Sequence, residues 1–102
     1  MPKALHIHPN DNVAVCTSEV KPADEVEIID SDGSRSSITA VGAVAFCNKI
    51  ALRDIEPEED ILKYGEVIGK ATEKILKGTM VSHMNIRSCP RSYADEYIQK
   101  GE

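Results

Sequence analysis

The chain has 102 residues, 17 acidic and 12 basic side chains and a net charge of −5, with no Trp, one Phe and three Tyr. That length suits one domain with a single aliphatic core, too small to enclose a deep private active site, so a site shared with another chain is the natural expectation. The scattered basic residues exclude a nucleic-acid footprint. No apolar run approaches the roughly 20 residues of a membrane helix, and MPKALHIHPN lacks a signal-peptide core, so a cytoplasmic chain is the expectation.

In chain order, Ala4 to Ile7 and Val13 to Cys16 read as strands around an HPNDN turn, and Glu25 to Ile29 reads as a third. Ser31-Asp32-Gly33-Ser34 is a turn cluster before Ser37 to Val41, which predicts a hairpin over residues 25–41. Val41 to Phe46 is small and apolar and reads as either a strand end or a bend. From Lys49 to Gly69 the aliphatic residues are too irregular for a helix face, and Pro57, Gly65 and Gly69 interrupt them at short intervals.

Val20 to Val26, Ile55 to Ile61 and Ile75 to Val81 each enclose a breaker between β-branched residues, namely Pro22, Pro57 and Gly78. Proline fixes φ and glycine accepts positive φ, so each breaker predicts a corner whose flanking residues return to the core. Glu58 to Asp60 and Thr72 to Leu76 predict single helical turns. Ser92 to Asp95 has capping-box spacing, and Tyr93 and Tyr97 lie one turn apart. Residues 87–102 therefore read as a tail whose short helix would dock on a partner, after a domain over residues 1–86.

Cys16, Cys47 and Cys89 lack CxxC spacing, which disfavours a disulfide framework or structural zinc, and the first two read as small, partly buried fillers. His6 and His8 would share a face if residues 4–8 form a strand, and with Asp11 they make a His-x-His plus carboxylate set able to hold a divalent cation. Histidines near a terminus are more often simply exposed polar positions. Asp11 and Asn12 also suit a turn on local grounds. Lys49, Arg53 and Lys63 are candidate anion contacts, Arg53 and Lys63 reading more simply as solvated charges. His83 is a candidate ligand or base, or a polar position on an edge strand.

IHPNDNVAV, NKIALRDI, DILKYGEVIG and GTMVSHMN, in this order over residues 5–86, resemble the SAF-type domain of the altronate and galactarate dehydratase family. The resemblance implies a mostly β, β-clip fold of short strands and tight turns with one or two short helical turns. It implies the small subunit of a hydro-lyase that completes its site with a large dehydratase subunit acting on a hydroxy-acid substrate. His8, Asp11, Asn12 and Lys49 match the family's blocks and are the implied catalytic residues. A divalent metal such as Fe2+ is the implied cofactor of the complex. The small subunit of a sulfolactate-type lyase, a non-catalytic β-clip binding module and homo-oligomerisation through exposed edges all stay open. Asn48, Ser82 and Met84 stand where the family pattern carries histidines.

Overall fold

One corner is built four times. The computed structural model describes residues 1–88, and in it Val20, Val44, Ile55 and Ile75 are each buried and each followed by a tight turn. The turns close through N–H to C=O bonds of 3.0 Å from Asp24 to Lys21, Asn48 to Ala45, Glu59 to Glu56 and Thr79 to Leu76. Their third residues are left-handed: φ is 72° at Ala23, 71° at Cys47, 69° at Glu58 and 87° at Gly78. Positive φ there is the signature of a type II turn, and Pro22 and Pro57 supply the fixed φ of the position before it.

Small buried residues, Cys16, Ala40, Ala51 and Ala71, stand four positions before the pivot of each unit. They join the units in reciprocal pairs. Ala23 N–H donates to Ala40 C=O at 2.9 Å and Ala40 N–H to Asp24 C=O at 2.8 Å; Cys47 N–H donates to Cys16 C=O at 3.0 Å and Cys16 N–H to Asn48 C=O at 2.9 Å. Glu58 with Ala71, and Gly78 with Ala51, repeat the arrangement at 2.8 and 2.9 Å. The pivots pair as isolated antiparallel bridges, Val20 with Val44 and Ile55 with Ile75. Backbones this close leave little room beside them, which favours the small side chains.

The strands grow out of these corners. β1 (Lys3–His6), β2 (Val13–Cys16), β3 (Glu25–Asp30), β4 (Arg35–Thr39), β5 (Lys49–Ala51) and β8 (Met80–Val81) form a six-stranded sheet in the order β4-β3-β1-β2-β5-β8, with β1 and β3 parallel. β6 (Asp60–Lys63), β7 (Glu66–Ala71) and β9 (Ile86–Ser88) form an antiparallel sheet in the order β6-β7-β9. The expected hairpin over 25–41 is the β3–β4 pair. Val41 to Phe46 is a bend whose Val44 carries the bridge.

Two cores result. Ala14, Cys16, Val20, Val26, Val44 and Ile50 belong to the first, and Val13, Ala51, Ile55, Ile61, Ile75 and Val81 to the second. Alternation along β2 and β5 sends neighbouring residues to opposite cores, so these two short strands tie the lobes together. Burying each pivot contributes roughly 1.5–3 kcal/mol.

Three expectations are corrected. The helical turns at 58–60 and 72–76 do not form, and no helix occurs among the described residues: Glu58 takes left-handed φ and Ile75 is pinned to Ile55. Cys47 is exposed because it occupies the left-handed position of a turn, while Cys16 is buried and burial raises its thiol pKa to about 11. The first strand ends at His6, which places His8 in the following turn. The last strand runs through Arg87 and Ser88, into the segment read as a tail, while the tail's predicted helix with Tyr93 and Tyr97, and Cys89, lie outside the described residues.

Candidate functional site

The loop between β1 and β2 is gripped by its own side chains. Asp11, buried, accepts the backbone N–H of Gly65 on Oδ1 at 2.7 Å, and on Oδ2 those of Tyr64 at 2.8 Å and His8 at 3.2 Å. Tyr64 and Gly65 are the two-residue tip of the β6–β7 hairpin, with φ of 58° and 77°. Positive φ at both central positions is the type I′ pattern, which is costly for a tyrosine. The two tip N–H groups converge on one carboxylate, which offsets that cost. Asn12, also buried, donates its side-chain amide to Asp60 C=O at 2.9 Å and accepts Leu62 N–H at 2.9 Å, laying β6 beside the start of β2.

Asp11 and Asn12 thus position other groups, and both side chains are buried. His8 is different. Its Nδ1 accepts the Asn10 N–H at 3.1 Å, so in the neutral ring the proton sits on Nε2. No partner for Nε2 occurs among the described residues. The ring lies against the hairpin tip: a Cβ on Gly65 would meet its Cδ2 at 2.8 Å, so glycine is required there for space as well as for φ.

Lys49 opens β5 between Val15 and Val81, its cross-strand neighbours. It is half-buried, and its pKa is lowered first by desolvation and then by the charge of Lys63. Lys63 ends β6, half-buried, with Nζ 4.9 Å from the Tyr64 ring centroid. The structure brings His8, Asp11 and Asn12 together with the tip at 63–65, whereas Lys49 stands on β5 opposite Val15 and Val81. The sequence reading left Lys63 among the surface charges; the Tyr64-Gly65 pair between Leu62 and Val67 was the available signal that its neighbours form a tight tip. Arg53 pairs with Glu59 on the surface and is not part of this cluster.

The proposed metal set does not fit. His6 Nε2 donates to the Asp11 carbonyl at 2.8 Å and its Nδ1 faces the Asp30 carboxylate at 2.9 Å, while the Asp11 side chain is held by three N–H groups. Coordination through His8 Nε2 would move its proton to Nδ1 and break the Asn10 bond. Among the described residues no group of three or more His, Cys, Asp or Glu side chains is placed to hold a metal ion.

The SHMN segment is a self-capped turn between β8 and β9. Ser82 N–H donates to Asn85 Oδ1 at 2.9 Å, Met84 N–H to Ser82 Oγ at 3.2 Å, and the Asn85 amide to Met80 C=O at 2.8 Å. Ser82 and Asn85 are buried by this, while His83 and Met84 point to solvent. His83 therefore stands on a turn rather than on an edge strand.

Paired corners, two cores and a clamped hairpin tip define a β-clip domain with a polar site where loop and tip meet. The chain belongs to the SAF-domain family of altronate/galactarate dehydratases, whose family model matches residues 2–89. It is also 33% identical over 84 residues to an altronate dehydratase of Escherichia coli (strain K12). That match covers 82% of this chain and 16% of the relative, so the chain spans about one sixth of that protein's length. No helix among the described residues is long and apolar enough to cross a membrane.

Proposed function

We propose that this chain acts as the small subunit of a sugar-acid hydro-lyase, presenting His8 and Lys49 to a hydroxy-acid substrate held by a large catalytic subunit. The observation that carries the reading is the free Nε2 of His8 in a loop whose neighbouring polar groups are otherwise committed. Elimination of water removes a proton α to the carboxylate and builds negative charge on the carboxylate oxygens as the β-hydroxyl departs. With its proton on Nε2, neutral His8 serves as a hydrogen-bond donor to one of those oxygens rather than as the base. Lys49 offers a desolvated positive charge to the carboxylate, while Asp11 and Asn12 hold the loop and tip in place. A divalent metal, which in the complex would stabilise the enediolate, is assigned to residues of the large subunit, because those described here are committed elsewhere.

The test is to co-purify the chain with its large subunit and assay sugar-acid dehydration. His8→Ala should lower turnover by roughly 10- to 1000-fold, the range for loss of a donor to developing charge; unchanged turnover refutes the role. The self-capped 82–85 turn, lacking the family's histidines, favours a second reading, a non-catalytic binding module. That reading predicts unaltered partner activity in Lys49→Met. Sulfite release from a sulfolactate in the same assay would identify the sulfo-lyase alternative.

A further inference from the structure

His6 closes β1 with its side chain 15% exposed and each ring nitrogen set against an acceptor oxygen. Nδ1 stands 2.9 Å from Oδ1 of Asp30, the residue in register with it on the parallel strand β3. Nε2 stands 2.8 Å from the Asp11 carbonyl oxygen, in the loop that follows β1. A neutral imidazole has a single N–H, so it serves one of these oxygens and turns a lone pair toward the other. The imidazolium bonds both, and the Asp30 carboxylate balances its charge.

The surroundings of the ring suit a cation. Asp32 joins His6, Pro9, Asp30 and Ser31 in lining a cleft, and hydrogen bonds from Ser34 hold its carboxyl below the usual carboxylate range. The Asp11 carboxylate is turned away, toward the N–H groups of His8, Tyr64 and Gly65. On β1 the other charge, Lys3, lies opposite Glu27, and on β2 the one titratable group, Cys16, lies opposite Ala4. The bond to the Asp11 carbonyl is the consequential one. The residue that clamps the hairpin tip through its side chain is itself held to the sheet, through its backbone, by His6.

We infer that His6 is the positioning residue of the His8 loop and that its ring works as a proton-operated staple, fastening Asp11 to Asp30 when both nitrogens are protonated and releasing one of them when a proton leaves. The stapled state binds an extra proton relative to the released state, so the staple is complete at low pH and opens as pH rises. Opening it frees the backbone at Asp11, and with it the turn that carries His8 and the carboxylate that seats Tyr64 and Gly65. A residue outside the candidate site thereby makes the order of that site depend on pH. This device belongs to the chain by itself and holds whether or not the hydro-lyase reading does.

The experiment is an NMR titration of the full-length, nitrogen-labelled chain between about pH 5 and 8, the range in which imidazoles change charge. It reads the ring nitrogens of each histidine and, at the same pH values, the hydrogen-exchange protection of the backbone N–H groups of Asp11, Tyr64 and Gly65, corrected for the intrinsic pH dependence of exchange. At the acid end both His6 nitrogens should show the protonated shift. Protection should then fall roughly tenfold as pH rises, the loss of one charge-assisted bond, in step with His6 and not with His8 or His83. His6→Gln should abolish the pH dependence. Asp30→Asn should reverse it: the amide donates to Nδ1, so a neutral ring with its proton on Nε2 makes both bonds, and acidification then breaks one. A single neutral His6 tautomer across the whole range, protection that does not change or that follows His8, or an unreversed dependence in a folded Asp30→Asn chain overturns the staple. The wild-type ring spectra and protection decide the matter if that variant does not fold.

Discussion

The two lobes share one plan, a corner followed by a hairpin and a second corner, yet their hairpin tips are held in different ways. In the first lobe the tip at 31–34 is self-contained: Gly33 N–H donates to Asp30 C=O, Asp30 N–H to Ser34 C=O, and Ser34 N–H to the Asp32 side chain, at 2.8 to 2.9 Å. In the second, shorter hairpin, tip residues Tyr64 and Gly65 receive their carboxylate from Asp11, in the loop between β1 and β2 of the six-stranded sheet. A tip secured by local bonds can vary without consequence elsewhere. A tip secured from another element transmits its position to whatever that element carries, here His8.

The sharpest way to break the equivalence of the four corners is Gly78→Ala. A Cβ there would meet Thr39 O at 2.4 Å in a left-handed backbone, so a loss of about 3 kcal/mol is expected in urea unfolding. Next in size, Asp11→Ala should cost about 2–3 kcal/mol by orphaning three N–H groups, with hydrogen exchange quickening at residues 63–66. Asp32→Ala, at the self-contained tip, should lower the urea midpoint much less than Asp11→Ala. Equal costs at the two tips would contradict the distinction drawn between them. Glu58→Gly, at the position equivalent to Gly78, should by contrast raise the urea midpoint through relief of left-handed strain, which outweighs loss of the exposed Arg87 pair.

The smallest effect concerns Lys49. Its depressed pKa means that the folded chain releases this proton at lower pH than the unfolded chain, whose lysine stays near 10.5. Between those two values the unfolded state binds more protons, so this residue's contribution to stability rises with pH there and is unfavourable below it. Lys49→Met should therefore melt a little higher than wild type at neutral pH, with the gap closing as pH approaches 10.5. A gap independent of pH would show that the ammonium is not desolvated by the fold.

Much of the scaffold was legible because its signals are local. Pro22, Pro57 and Gly78 marked three corners correctly, and the Ser31–Ser34 cluster marked a hairpin tip. The fourth corner, Val44 to Ile50, was missed since its left-handed residue is Cys47, a type with no preference for that conformation. The helical turns were misread for a related reason. Acids after a proline suit a helix start, but the pairing of Glu58 with Ala71 imposes a left-handed residue instead. Of the candidate site, the sequence offers residue types alone: His8, Asp11, Asn12 and Lys49 are singled out as candidates. Their division into groups that hold the backbone and groups left free depended on partners some 50 residues away in the chain.

By itself, then, the sequence determined the spacing of corners and the supply of β-branched residues to fill two cores, since turn chemistry and side-chain alternation act over a few residues. Only the tertiary structure decided that Asp11 and Asn12 would use their polar atoms on β6 and its tip, and that His6 would turn both ring nitrogens toward protein oxygens. Hydrogen-bond partners and charge neighbours drawn from distant strands are fixed by how the lobes close, and no local pattern encodes them.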